Sequence, residues 1–443
     1  MENAQLIVEP SEKLSGTVEL IGAKNAVLVI MASLILTTGK SKLTNVPYSH
    51  DVLQMIKLLE SLGADIFFDV HERVLEVDTT DLNRWHVCPE IMKKMRASIL
   101  VMGPLLARFA KANIALPGGC LIGARPIDLH LKNFKKMGAE IIQDRDSFSV
   151  TLRTLASGTY VLEYPSVGAT ENILMASVLA PGQTKVVNAA LEPEVMDLIC
   201  VLSKMGAKIK TIAPATIIVE GVTELRPVEH AIMPDRLEAG ALLLAAAITG
   251  GEINMPQARA DTMDVFLLKL QEMGHHIQVG ENQQGIMLRA TQEPQAVSFK
   301  TGPYPGFPTD LQAPMMALQT VAQGTSVIEE TVFENRMLHV RELQKMGAYI
   351  QVQASKAMVT GVDELFGTSV IASDIRGSCA LVLAGLVANG ATVMTGVAHF
   401  KRAYDHLEQK LAFLGASIKL VGEDASPVMH SYRTKQRREE MRS

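Results

Sequence analysis

The amino-acid sequence predicts an α/β protein of two domains, each built from three copies of one βαβαββ-type unit, six in all. Three observations carry this expectation. A glycine signature recurs six times, helical and extended patterns alternate between its occurrences, and 443 residues are too many for one hydrophobic core.

The signature reads Ser-Leu-Gly-Ala-Asp around Gly63, Lys-Met-Gly-Ala-Glu around Gly138 and Lys-Met-Gly-Ala-Lys around Gly206. It returns as Glu-Met-Gly-His-His around Gly274, Lys-Met-Gly-Ala-Tyr around Gly347 and Phe-Leu-Gly-Ala-Ser around Gly415. The steps between these glycines are 75, 68, 68, 73 and 68 residues. A series this regular marks repeated supersecondary units that cannot bury their apolar faces alone. Before each glycine runs an amphipathic helical pattern, as in Asp51-Val-Leu-Gln-Met-Ile-Lys-Leu-Leu-Glu. The glycine then stops the helix, because it takes the left-handed C′ conformation without strain. A short β-rich run follows. Earlier in most copies stands a second piece, a small-residue helix, a Gly turn and a strand, as in Ala245-Ala-Ala-Ile-Thr-Gly-Gly-Glu-Ile-Asn.

Composition narrows the function. A net charge of −5 argues against nucleic acid as the main partner, since phosphate backbones call for clustered basic surface. The N-terminal residues lack the basic stretch of a signal peptide. The longest apolar run, Ala26 to Leu36, falls short of the roughly 20 residues that span a membrane. Cys88, Cys120, Cys200 and Cys379 contain no C-x-x-C pair, and the eleven histidines are scattered, so neither a disulfide framework nor a metal site is expected. The expectation is a soluble, cytoplasmic protein without cofactor. The charged residues from about Glu423 onward read as a solvated or frayed helical tail.

At the strand-to-helix junctions the copies place Gly22-Ala-Lys-Asn, Lys94-Met-Arg-Ala-Ser, Gly168-Ala-Thr-Glu-Asn, Pro234-Asp-Arg-Leu-Glu, Pro308-Thr-Asp-Leu-Gln and Ser373-Asp-Ile-Arg-Gly. Asp235, Asp310 and Asp374 fit ordinary N-caps. Lys24, Arg96, Arg236 and Arg376 are less ordinary, because cations oppose the positive end of a helix dipole. An anion bound among the helix ends would resolve the conflict; exposed snorkelling arginines are the plainer alternative. The second copy also carries Leu116-Pro-Gly-Gly-Cys-Leu-Ile-Gly-Ala-Arg-Pro, a glycine-rich connection suited to a lid, with Cys120 at its centre. Cys200 and Cys379 sit in apolar helical runs and read as small core residues.

In these motifs, together with Ser166-Val-Gly-Ala-Thr, Phe307-Pro-Thr-Asp, Thr331-Val-Phe-Glu-Asn-Arg and Asp374-Ile-Arg, the sequence resembles the UDP-N-acetylglucosamine enolpyruvyl transferase family of bacterial peptidoglycan synthesis. The resemblance covers residues 5 to 420. It implies two inside-out α/β barrel domains, with an active site in the cleft between them. Residues 23–233 would form one domain, residues 1–22 with 234–422 the other, and 423–443 the tail. It implies transfer of enolpyruvyl from phosphoenolpyruvate to the sugar 3′-hydroxyl through a tetrahedral ketal. Cys120 would then be the acid that protonates C3, its thiol still protonated near neutral pH and open to the epoxide antibiotic fosfomycin. Asp310 would be the base for the sugar hydroxyl, and Lys24, Arg125 and Arg402 would clamp phosphate and carboxylate. Asn25, Arg96, the segment Arg125, Pro126, Ile127, Asp128 and Leu129, then Ser166, Val167 and Val332 would hold the nucleotide sugar. Arg376 would complete the anion site. Tyr164-Pro165 stands where some members have a lysine two residues before Ser-Val-Gly. The rival readings are enolpyruvyl transfer to shikimate 3-phosphate, whose enzymes carry Gly-Asp-Lys-Ser and lack the Pro-Gly-Gly-Cys loop, and a non-catalytic repeat protein. The sequence leaves the oligomeric state open.

Overall fold

The first helix of most copies is apolar around its whole circumference, and such a helix must be buried on all sides. In the computed structural model, which describes residues 4–116, 118, 127–145, 147–422 and 431–433, this is where those helices lie. Every residue of Gln312–Gln319 and Gly377–Gly385 is buried, as is every residue of Arg236–Ile248 after the first. The three pack on one another, and their small residues let the backbones approach. A methyl group on Gly240 would come within 2.5 Å of Leu311 Cδ1. Lys24–Ser33 is buried except at Asn25, and Val167–Ser177 is buried after its first two residues. The amphipathic second helices, such as His50–Leu62 and Pro193–Lys204, bury one face.

The chain divides into two compact units. Among described residues, the terminal unit holds 4–21 and 234–422, and the middle unit holds 22–116, 118, 127–233 and 431–433. Each has its own apolar core. The glycines that end the second helices all take positive φ: 111° at Gly63, 96° at Gly138, 110° at Gly206, 96° at Gly274, 95° at Gly347 and 108° at Gly415. The six stops expected from sequence are therefore six left-handed turns.

Each copy contributes one small sheet. Its recurring plan is a parallel pair followed by an antiparallel hairpin, as in Thr159–Val161 beside Gln183–Val187, then Thr216–Glu220 and Lys208–Ile212. Distant strands complete several sheets. Glu229–Ala231 runs parallel to Lys40–Thr44 in the first, and Ser15–Thr17 parallel to Glu252–Arg259 in the fourth. Gln5–Val8 lies between Thr392–Thr395 and Ile418–Val421 in the sixth, antiparallel to both. Among the described residues the sheets stay open and no barrel closes. The tail differs from expectation. Ser431–Arg433 is a strand, not a helix, and adds to the edge of Asp65–Asp69, with Tyr432 donating to Glu60 Oε2 at 2.6 Å. Among the described residues no helix is long and apolar enough to cross a membrane.

Candidate active site

In the terminal unit, Asp310 lies in the turn Thr309–Leu311 at the start of a buried helix. It does not cap that helix. Arg336 Nη2 donates to its Oδ1 at 2.7 Å, and Arg376 Nη2 donates to Oδ2 at 2.8 Å. Both arginines are buried, while Asp310 keeps a quarter of its side-chain surface exposed. Burial disfavours its charge, but Arg376 and Arg336 outweigh burial and hold the carboxyl well below the usual carboxylate range. The Arg376 guanidinium stacks over Tyr404 at 5.3 Å, and that of Arg336 over Phe333 at 5.2 Å.

The surrounding backbone fixes this cluster. Asp374 Oδ1 accepts from the N–H groups of Arg376 and Gly377, both at 2.9 Å, and so caps the helix on which Arg376 stands. Glu330 joins two segments: it accepts from the Val332 and Phe333 N–H groups and from Thr309 Oγ1. Val332 is thereby tied to the turn that carries Asp310. Among the described residues, Arg336 Nε and Nη1, Arg376 Nη1 and both ring nitrogens of His339 are buried without a hydrogen-bond partner. Guanidinium donors buried in this way suit an anion. Burial pushes the His339 imidazole down to about 4, with Asp374 opposing and Arg336 assisting. Arg402 stands half-buried on Val397–Ala403.

The middle unit holds a second group. Lys24 opens the helix Lys24–Ser33, whose N-cap Ala23 offers no side-chain acceptor. Its Nζ lies 3.4 Å from Asp51 Oδ2, both side chains being about nine-tenths buried. Asn25 beside it is exposed. A separate brace gathers the residues expected to hold the nucleotide. Asn172 Nδ2 donates to His130 Nδ1 at 2.9 Å and to the Ile99 carbonyl at 3.1 Å, while its Oδ1 accepts from Gly103 N–H at 2.7 Å. His130 also lies against Gly168, where a methyl group would meet Cε1 at 3.3 Å. Burial, assisted by Arg96 and opposed by Asp128, pushes its imidazole down to about 4, so it accepts at Nδ1 as a neutral ring. The brace links three helical segments: Arg96–Val101, Asp128–Lys136 after buried Ile127, and Val167–Ser177, which Ser166 caps through Ala169 N–H. On these segments Arg96, Leu129 and Val167 are half-buried, as is the capping Ser166, and Asp128 is exposed. Cys120, Arg125 and Pro126 lie outside the described residues. Among described residues no group of three or more His, Cys, Asp and Glu is placed to hold a metal ion.

Sequence reasoning expected Asp374 as an N-cap, and it caps the helix of Arg376, but it did not single out Arg336, Glu330, His130 or Asn172. Arg336 had a signal, the Glu-Asn-Arg triplet, but its partner is 26 residues away. Cys200 is corrected: it is exposed, whereas Cys379 is buried and burial pushes its thiol up to about 11.

Six small sheets around buried helices, with a carboxylate held between two arginines that keep buried donors partnerless among the described residues, make a frame suited to anions. The chain belongs to the enolpyruvyl (carboxyvinyl) transferase family: the family described as EPSP synthase (3-phosphoshikimate 1-carboxyvinyltransferase) matches residues 8–411. Within it, the chain is 47% identical over 414 residues to UDP-N-acetylglucosamine 1-carboxyvinyltransferase 1 of Caldanaerobacter subterraneus subsp. tengcongensis, covering 94% of this chain and 99% of that one. It is 46% identical over 419 residues to the enzyme named UDP-N-acetylglucosamine 1-carboxyvinyltransferase 2 of Carboxydothermus hydrogenoformans, covering 95% and 100%. Among solved structures, the enolpyruvyl transferase NikO from Streptomyces tendae superposes with a TM-score of 0.86 at 22% identity, covering 95% and 99% of the two chains. EPSP synthase from Acinetobacter baumannii superposes at 0.75 and 16% identity, covering 95% and 100%. These structures share the fold expected from the sequence, two inside-out α/β domains.

Proposed function

We propose that this protein is a transferase that moves the enolpyruvyl group of phosphoenolpyruvate onto the 3′-hydroxyl of UDP-N-acetylglucosamine, releasing phosphate, in the cytoplasmic stage of peptidoglycan synthesis. The observation that carries the reading is Asp310 held ionised between Arg336 and Arg376, with Arg336 Nε and Nη1 and Arg376 Nη1 buried without a hydrogen-bond partner among the described residues. A base that stays charged can take the proton of the attacking hydroxyl, while the arginines face the anionic second substrate. Relatives at 43 to 47% identity supply the acceptor, since each is named for UDP-N-acetylglucosamine.

The chemistry is an addition followed by an elimination. The sugar oxygen bonds to C2 of phosphoenolpyruvate as its proton passes to Asp310, and Cys120 supplies a proton to C3. The ketal then loses a C3 proton and phosphate, restoring the double bond. Lys24, Arg125 and Arg402 bind the phosphate and carboxylate; a lysine acts there as a point charge and an arginine as a planar fork. Arg96, Asp128, Leu129, Ser166, Val167 and Val332 hold the nucleotide sugar.

The test is phosphate release from phosphoenolpyruvate with each candidate acceptor. Release with UDP-N-acetylglucosamine alone is expected. Release with shikimate 3-phosphate alone would move the assignment to the sister reaction, and silence with both would leave a non-catalytic repeat protein.

A further inference from the structure

The chain passes between its two units at Ile21–Gly22 and again at Met233–Pro234. Beside each passage a backbone bond joins the two crossing segments. Ala23 N–H donates to the Met233 carbonyl at 2.7 Å, and Asp235 N–H donates to the Ile21 carbonyl at 2.8 Å. The last residue before each passage is held, in turn, by a carboxylate of its own unit. Glu238, in the first turn of Arg236–Ile248, accepts the Ile21 N–H on Oε2 at 2.9 Å and Lys410 Nζ on Oε1 at 2.7 Å. Lys410 also donates to the Glu19 carbonyl at 2.8 Å. Asp197 accepts the Met233 N–H on Oδ2 at 3.3 Å and His230 Nε2–H on Oδ1 at 3.0 Å, while Lys204 Nζ donates to His230 Nδ1 at 3.0 Å. The two ties follow one plan: a carboxylate, the peptide N–H before the crossing, and a lysine that reaches the carboxylate directly or through an imidazole.

Buried carboxylates are costly unless paired, and Glu238 is only 3% exposed. What it holds in place is the chain segment that leads within three residues to Lys24. We propose that Glu238 is a positioning residue for the enolpyruvyl transfer, fixing through the Ile21 N–H the path by which the chain enters the helix Lys24–Ser33, with Lys410 as its charge partner. This rests on Lys24 being a substrate clamp. It gives a role to the last residue of the junction motif Pro234-Asp-Arg-Leu-Glu, one that touches no reacting atom.

The tie is titratable. Burial pushes the Glu238 carboxyl up to about 7, Lys410 and the Ile21 N–H pull the other way, and Asp235 on the same helix raises it further. These are the charged groups that face it. The carboxylate form is therefore gained as pH rises through about 7, within the range of an ordinary assay.

The experiment compares the full-length protein with Glu238→Gln and Lys410→Met, reading kcat and KM for phosphoenolpyruvate from about pH 5.5 to 9, with thermal midpoints alongside. In the unmodified protein kcat/KM should rise through a limb near pH 7. Glu238→Gln should remove that limb and raise KM roughly tenfold or more, as displacement of a substrate-positioning group does. Lys410→Met removes the charge that lowers the carboxyl, so the limb should move to higher pH. An unchanged limb in Glu238→Gln overturns the proposal, and if that variant fails to fold, an unmoved limb in Lys410→Met overturns it instead. Amide exchange over residues 14–24, corrected for its intrinsic pH dependence, separates this proposal from the functional one. Faster exchange below pH 7, and at every pH in Glu238→Gln, supports the tie even if no acceptor yields phosphate. Exchange indifferent to both pH and substitution sinks it.

Discussion

The terminal and middle units handle charge differently. Asp310 is gripped at both oxygens by arginines at 2.7 and 2.8 Å, whereas Lys24 meets Asp51 at 3.4 Å. The first arrangement keeps the resting carboxylate charged and fixes its orientation through two planar cations. The second keeps a compact cation at a longer distance, from which a phosphate can compete for it. One unit thus holds a carboxylate between two planar cations, and the other a point charge beside one carboxylate.

The largest effect that would break this contrast is expected from Asp310→Asn. Two buried guanidinium groups lose their counter-charge, so unfolding in urea should show a loss of about 3–5 kcal/mol. Phosphate release should slow by a factor on the order of 10²–10⁴. Unchanged stability would mean that the arginines are neutralised by something else. Next comes acid. His275 and His339 in the terminal unit and His130 in the middle unit are all pushed down to about 4, mainly by burial. The unfolded chain binds a proton near 6.5 at each, so stability falls as pH drops from 6.5 towards 4, by up to about 3 kcal/mol per histidine. With two such residues against one, the terminal unit should be cleaved first in limited proteolysis at pH 5. Earlier opening of the middle unit would reverse the comparison. Asp310 acts at lower pH: its contribution is complete above its unfolded value near 3.9 and is lost as pH falls below that.

Arg336→Lys keeps the charge but loses the fork, and should reduce kcat/KM on the order of a hundredfold. Lys24→Arg should be milder, roughly tenfold in kcat/KM, with a thermal midpoint close to the parent. If the lysine change proved the more harmful to stability, Lys24 rather than Asp310 would anchor its unit.

Much of the fold was legible because its rules are local. A glycine that ends an amphipathic helix advertises a left-handed turn, and all six such glycines have one. Cys200 misled because Ile199, Val201 and Leu202 around it are buried, while its own position on Pro193–Lys204 faces outward. Asp310 looked like an N-cap because Thr309–Leu311 resembles a helix start. Its partners stand 26 and 66 residues on, beyond any window of periodicity. His130 and Asn172, 42 residues apart, were hidden for the same reason. The resemblance named Asp310, Arg376 and Lys24; it did not name the groups that hold them.

The strand Gln5–Val8 pairs with Ile418–Val421 near the far end of the chain. On the ribosome Gln5–Val8 must therefore wait, unpaired with this partner, until Ile418–Val421 has been made. Domains generally fold as units during synthesis, and residues 22–233 have emerged long before the terminal unit can close its last sheet. The newborn protein would carry a middle unit complete but for its edge strand Ser431–Arg433 and an unfinished flank whose bare strand edges invite association. That interval, rather than the finished molecule, is where a chaperone would find something to hold.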